Sequence, residues 1–300
     1  MRIRSIELEV PDRRAAVAFL KNPWGLLDAG ERNKTSYLRG SGDRPYVLSV
    51  TEAAEPAIAA VTFSGAAAEL EAVRSRAARS KVRIEGETAE FDEPGRAAGF
   101  FLRAPEGQTF RFVSEKERSE ALPPSGDRPI GVTHAVLNTS DLEGCTRFAL
   151  EVLGFRLSDR TGFMNFLRCD DIHHALAFAK AGLSSLNHIA FEMTDLDAVM
   201  SGIGRLKDAG FDPVWGPGRH GPGNNVFAYY MAPFGALIEY TSEVLRIDDS
   251  YKVGGPDDWK RPPNRTDLWG ISTRNTSALD EAGRRFPFRR PPEAQAGASR

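Results

Sequence analysis

The sequence predicts an α+β protein made of four copies of one strand–helix–strands unit, two copies in each half of the chain. Three observations carry this prediction. In the second half, VTHAVLNTSDLEGCTRFALEVLGF and LNHIAFEMTDLDAVMSGIGRLKDAGF share one layout: a strand-like run, a short polar break, a helix-like run, then Gly-Phe. His134 and His188 lie 54 positions apart in these segments, as do Asp141 and Asp195. The first half repeats the layout more faintly, and RAPEGQTFRFVSE matches MAPFGALIEYTSE at an offset of 128.

In chain order, IRSIELEV and AAVTFSG read as the opening strands of the first two units. Pro123 and Pro124, with Gly126 and Asp127 after them, mark a linker. It separates a first domain, residues 1–122, from a second, residues 128–245. The second domain opens on the strand VTHAVLNT. Ser140 and Glu143 have capping-box spacing for the helix that follows, and Gly154 stands where a helix C-cap glycine belongs. HHALAFAK is the next strand. HIAFEMT opens the fourth unit, in which Leu196, Val199, Met200 and Ile203 fall on one helical face and Gly210 closes the helix. NVFAYYMAP and ALIEYTSE are its last strands. From residue 246 to 300 the repeat stops. This polar, proline-rich tail carries Trp259 and Trp269. It is expected either to cover the mouth of a pocket or to pack on the outer surface, with a disordered end.

The 300 residues suit one large domain or two medium ones. A net charge of -2 provides no global field for nucleic acid or an anionic membrane. No apolar stretch approaches the roughly 20 residues of a membrane span. Cys145 and Cys169 make no disulfide framework and read as free buried thiols. Nothing at the N-terminus reads as a signal peptide, so a reduced, cytoplasmic compartment is expected.

All five histidines, His134, His173, His174, His188 and His220, lie in the second half. Strand alternation puts His188 on the face opposite Ile189 and Phe191. Glu239, between Ile238 and Tyr240, turns inward by the same alternation. Two imidazoles in register across a repeat and one carboxylate make the facial triad of non-haem iron sites. A strand carboxylate is costly to bury alone but not when it coordinates a cation. The plainer reading is a hydrogen-bonded core histidine and a solvent-facing glutamate. The first half provides a control: its counterparts are Ser5, Ala60 and Arg111, which cannot bind a divalent cation. Glu192 shares a strand face with His188 and is the competing carboxylate, without motif context. GPGRHGPGNN lacks the Lys-Ser/Thr pair of a phosphate loop and reads as a loop presenting His220. Arg205 and Lys207 read as solvated helix positions.

The second half resembles the two-domain type I extradiol ring-cleavage dioxygenases, the catechol 2,3-dioxygenase-like branch of the vicinal oxygen chelate superfamily. The motif is His220, Tyr229, Pro233, Gly235 and Glu239. Ala228 replaces a larger apolar residue and Ala232 the commoner aspartate. The likeness covers residues 1–245, most strongly 130–245. It implies four βαβββ modules forming two partly open barrel domains, only the second with a metal site. It implies iron(II), occasionally manganese(II), held by His134, His188 and Glu239. Acid–base roles fall to His174, His220 and Tyr229, the last two touching substrate. Strand alternation turns His173 away from His174 and Tyr230 away from Tyr229, so His173 reads as structural or as a support to the site residues and Tyr230 as packing. The implied reaction is opening of a catecholic ring with dioxygen, giving a hydroxy-semialdehyde or keto acid, in a homo-oligomer. Two alternatives remain. One is another metal-dependent reaction of the superfamily (isomerase, lyase or thiol transferase). The other is a non-catalytic binder, although binders generally lose the metal ligands kept here.

Overall fold

The structure, a computed structural model, describes residues 1–123 and 126–289. Pro124 of the expected linker and the end of the tail, with its expected disorder, lie outside the described residues. The first half contains β1 (Arg2–Val10), α1 (Arg13–Lys21), β2 (Leu27–Arg32), β3 (Thr35–Arg39) and β4 (Leu48–Glu52). It continues with β5 (Ala57–Ser64), α2 (Ala67–Arg79), β6 (Ile84–Glu90), β7 (Ala98–Arg103) and β8 (Thr109–Ser114). The second half contains β9 (Gly131–Thr139), α3 (Leu142–Phe148), β10 (Arg156–Arg160), β11 (Met164–Arg168) and β12 (Leu176–Lys180). Then come β13 (Ser185–Glu192), α4 (Leu196–Asp208), β14 (Trp215–Arg219), β15 (Val226–Met231) and β16 (Leu237–Ser242). The tail adds α5 (Thr276–Arg285). This is the βαβββ unit four times over.

Four of the five described α-helices start by one rule, and α2 is the exception, where the Glu69 carboxylate accepts the Ala66 N–H. The side chains of Asp12, Asp141, Asp195 and Asn275 accept the backbone N–H three residues on, from Ala15, Gly144, Ala198 and Ala278. The cap of α3 is therefore Asp141 and not the expected Ser140. The Ser140 hydroxyl is engaged by Glu106, and Glu143 pairs with Arg160 instead of closing a capping box. A π-helical turn, Ala149–Leu153, extends α3 and ends at Gly154, whose φ of 77° suits glycine. The buried face of α4 also differs from the expected one. Ala198, Val199, Gly202 and Leu206 are buried, while Met200 is 45% exposed. The reason is close approach: a Cβ on Gly202 would stand 2.9 Å from the Tyr240 ring.

Each half forms one eight-stranded sheet, and the two share a strand order: β2-β3-β4-β1-β5-β8-β7-β6 and β10-β11-β12-β9-β13-β16-β15-β14. Strand register makes the equivalence residue by residue. Thr62 pairs with Ser5 and Arg111 in the first sheet, as Ala190 pairs with His134 and Glu239 in the second. Where the second half gathers His134 and Glu239, the first has a buried ionic cluster. Arg111 donates to Glu93 at 2.7 Å, to the Tyr46 hydroxyl at 2.6 Å and to Thr62 at 2.9 Å.

The halves pack on each other through aromatic and polar contacts. Trp24 stacks on Tyr240 with ring centroids 3.8 Å apart. Arg205 is no solvated position: it donates to the carbonyls of Pro23 and Trp24 and to the Tyr240 hydroxyl. Lys207 is exposed as expected. Among the described residues, no helix is long and apolar enough to cross a membrane.

Candidate metal centre

Three neighbouring strands bring the triad together. His134 on β9, His188 on β13 and Glu239 on β16 are all buried, and each offers a ligand atom within 4.8 Å of the other two. His188 Nε2 lies 3.2 Å and His134 Nε2 3.4 Å from Glu239 Oε2. Yet His188 Nε2 and Glu239 Oε2 have no hydrogen-bond partner. Buried orphans of this kind cost roughly 1–3 kcal/mol each unless something else satisfies them.

The surroundings aim these lone pairs. Asn187 Nδ2 donates to Asn138, which fixes its amide, and its Oδ1 lies 2.8 Å from His188 Nδ1. An amide oxygen only accepts, so His188 carries its proton on Nδ1 and keeps the Nε2 lone pair free. Asn225 donates to Glu239 Oε1 at 3.3 Å and to Thr241 at 2.8 Å. Burial works to raise the Glu239 carboxyl, but the two imidazoles outweigh it and hold the group well below the usual carboxylate range. Burial lowers His188. Imidazole lone pairs and a carboxylate facing one point fit a divalent cation such as iron(II) or manganese(II).

His134, His174, His188, His220 and Tyr229 line a cavity of about 1290 Å³. The His174 ring centroid lies 4.2 Å from that of His134. Burial, with the neighbouring imidazoles, holds His174 well below the ordinary imidazole range. His220 Nε2 and the Tyr229 hydroxyl are 2.9 Å apart. His220 stacks on Phe227 at 3.9 Å, and Trp215 lies parallel to Tyr229 at 5.3 Å. Burial pushes His220 down to about 3 and Tyr229 well above its usual value. Both are therefore uncharged near neutral pH.

The other candidates lie elsewhere. Glu192 sits at the end of β13 opposite Thr241, near Arg246, Asp170 and Arg2, outside the cluster. Cys145 contacts Gln108 and Thr139, and both cysteines are free. Tyr230 packs near Trp24 and Tyr240. His173 is buried behind His174, against Asp159.

Residues 131–240 match the family model described as Glyoxalase/Bleomycin resistance protein/Dioxygenase superfamily. Biphenyl-2,3-diol 1,2-dioxygenase 3 of Rhodococcus globerulus is 30% identical over 50% of this chain and 94% of its own. The chain belongs to this superfamily. Metapyrocatechase 2 of Cupriavidus necator is 28% identical over 79% of each chain. The crystal structure of the Mn(II)-bound glyoxalase from Novosphingobium aromaticivorans is 33% identical, covers 93% of each chain and has a TM-score of 0.85. The two dioxygenase relatives bear out the extradiol resemblance read from the sequence, and the superfamily fold is the one observed.

In this superfamily member the tail also reaches the site, since Trp259, Arg261, Arg274 and Leu279 line the cavity. Sequence reasoning missed Asn187, Asn225 and Asp159. An amide beside a ligand histidine was a signal for Asn187; Asp159, in the polar run LSDR, gave none.

Proposed function

We propose that the protein is an extradiol dioxygenase that opens the ring of a catecholic substrate with dioxygen, using iron(II) held by His134, His188 and Glu239. The observation that carries this reading is the convergence of three orphaned or partly orphaned donor groups on the wall of a cavity that also holds His174, His220 and Tyr229. Iron(II) held by His134, His188 and Glu239 would supply Lewis acidity toward a catecholic hydroxyl and a redox-active centre. The residues do the rest. His220 and Tyr229, uncharged and hydrogen-bonded to each other, receive and relay a proton from the substrate hydroxyl. His174, a neutral imidazole beside His134, accepts and returns a proton as the ring opens. Phe166, Val136, Trp215 and Leu279 offer apolar wall against which a flat ring packs and from which water is displaced. The cavity, partly open to solvent, exceeds the usual roughly 300–1,000 Å³ of ligand pockets, and both monocyclic and bicyclic catechols are candidate substrates. The product is a ring-opened hydroxy-semialdehyde or keto acid.

Likeness to a Mn(II)-bound glyoxalase favours a second reading, an oxygen-independent reaction at the same metal. Loading the protein with iron(II) or manganese(II) without air and adding monocyclic and bicyclic catechols separates the two. Ring cleavage predicts a yellow product only after oxygen is admitted. Metal-dependent turnover without oxygen would favour the second reading.

A further inference from the structure

The wall behind His174 is a chain of hydrogen bonds. His174 Nδ1 lies 3.0 Å from His173 Nδ1, and His173 Nε2 lies 2.7 Å from Asp159 Oδ2. All three residues are buried. A carboxylate only accepts, so His173 carries a proton on Nε2. Asp159 also accepts from the Tyr251 hydroxyl at 3.1 Å and the Gly254 N–H at 2.7 Å. Three donors compensate its charge, and no imidazolium at His173 is required. Neutral His173 then has a lone pair at Nδ1, and His174 donates to it from its own Nδ1–H. The Nε2 of His174 keeps its lone pair, free for the cavity that His174 lines.

We propose that Asp159 and His173 are positioning residues that lock His174 in the tautomer whose Nε2 accepts a proton or hydrogen bond from the cavity. This rests on the acid–base reading of His174 given above. Two segments of the chain hold the array in place. Gly223, in the glycine-rich loop with φ 75°, passes so close that a Cβ there would stand 3.0 Å from the His174 ring and 3.2 Å from His173 Nδ1. Its carbonyl accepts from Leu245 N–H, and the Leu245 carbonyl accepts from His173 N–H. Any side chain at position 223 would wedge into the pair. At the other end, Tyr251 and Gly254 of the tail grip Asp159. The tail thereby acts on the site from behind as well as lining the cavity.

The test reads the tautomer directly. The full chain, labelled with ¹⁵N-histidine and loaded with diamagnetic zinc(II), is studied by long-range ¹⁵N–¹H correlation. The wild type is expected to show His174 protonated at Nδ1 and His173 at Nε2. In Asp159→Asn the Gly254 N–H keeps the amide oxygen, so the amide NH2 donates to His173 Nε2, both tautomers switch with the rings in place, and the His174 proton moves to Nε2. A second pair of variants covers the case in which Asp159→Asn does not fold. His173→Leu is expected to lower kcat by about 10–100-fold, as loss of an outer-shell partner does, with KM and iron content unchanged. His173→Gln, which keeps one donor and one acceptor, is expected to restore most of that loss. A wild-type His174 protonated at Nε2, an imidazolium at His173, or full kcat in His173→Leu would overturn the proposal. An inactive wild type that shows the expected tautomers upholds the positioning of His174 and overturns the ring-cleavage reading instead.

Discussion

Glu239 is the residue on which the site turns, because it alone contributes charge to the triad. Glu239→Ala leaves two imidazoles and no anion, so iron retained after gel filtration should fall below that of any outer-shell variant, for which losses of about 10–100-fold in affinity are typical. His174→Ala should keep its iron while turnover slows by about 10²–10⁴-fold, the usual cost of losing a general acid–base group; the same variant with full kcat would remove His174 from the reaction. His220 has a folded value of about 3, against about 6.5 when unfolded. Below pH 6.5 the unfolded chain takes up a proton that the folded chain refuses. Its contribution is therefore complete above about pH 6.5 and is lost as pH falls toward 3. Urea unfolding of the metal-free protein should show wild type losing up to about 2 kcal/mol more than His220→Gln between pH 7 and pH 5. At this scale the triad was legible because two histidines in register and a strand glutamate are hard to explain without a cation. Asp159 was not, because an aspartate in a polar strand looks like a solvated residue until the tail is seen to cover it.

Elements bring these residues into register, and α4 does so by close approach. Gly202 faces the Tyr240 ring, whereas Gly204 has nothing within 4 Å of an added Cβ. Gly202→Leu should destabilise by about 1–3 kcal/mol through overpacking, and Gly204→Ala should stabilise by about 1 kcal/mol through helix propensity, both measured by urea unfolding. The repeat was readable from the layout shared by the His134 and His188 segments and from the 54- and 128-residue offsets; the order of strands within each sheet was not. Nor were finer points. Ser140 and Asp141 are adjacent and both can cap a helix; only the capture of Ser140 by Glu106, 34 residues away, decides between them. The α4 face is displaced from Met200 because a glycine, invisible to a hydrophobicity pattern, sets the contact.

In the whole molecule, two sheets of identical strand order have diverged in chemistry at the equivalent site, where Ser5, Ala60 and Arg111 stand for His134, His188 and Glu239. Arg111 sits where the other sheet has Glu239, and an ionic cluster fills the space where the other half gathers donors. Duplication was legible in the offset of 128, and so was the loss of donors in the first half. The joint between halves was not, because Arg205 looks like any other helix cation until Trp24 and Tyr240 meet it from both sides. Among the described residues the three-ligand cluster occurs in the second half only, so one metal ion per chain is expected. The most direct test is oxygen uptake by protein carrying one iron(II) per chain, followed against catechol consumed and with hydrogen peroxide assayed. One dioxygen per catechol, no peroxide and a ring-opened product are predicted. No uptake with iron in place, or uptake that ends as peroxide and an intact ring, would contradict the account.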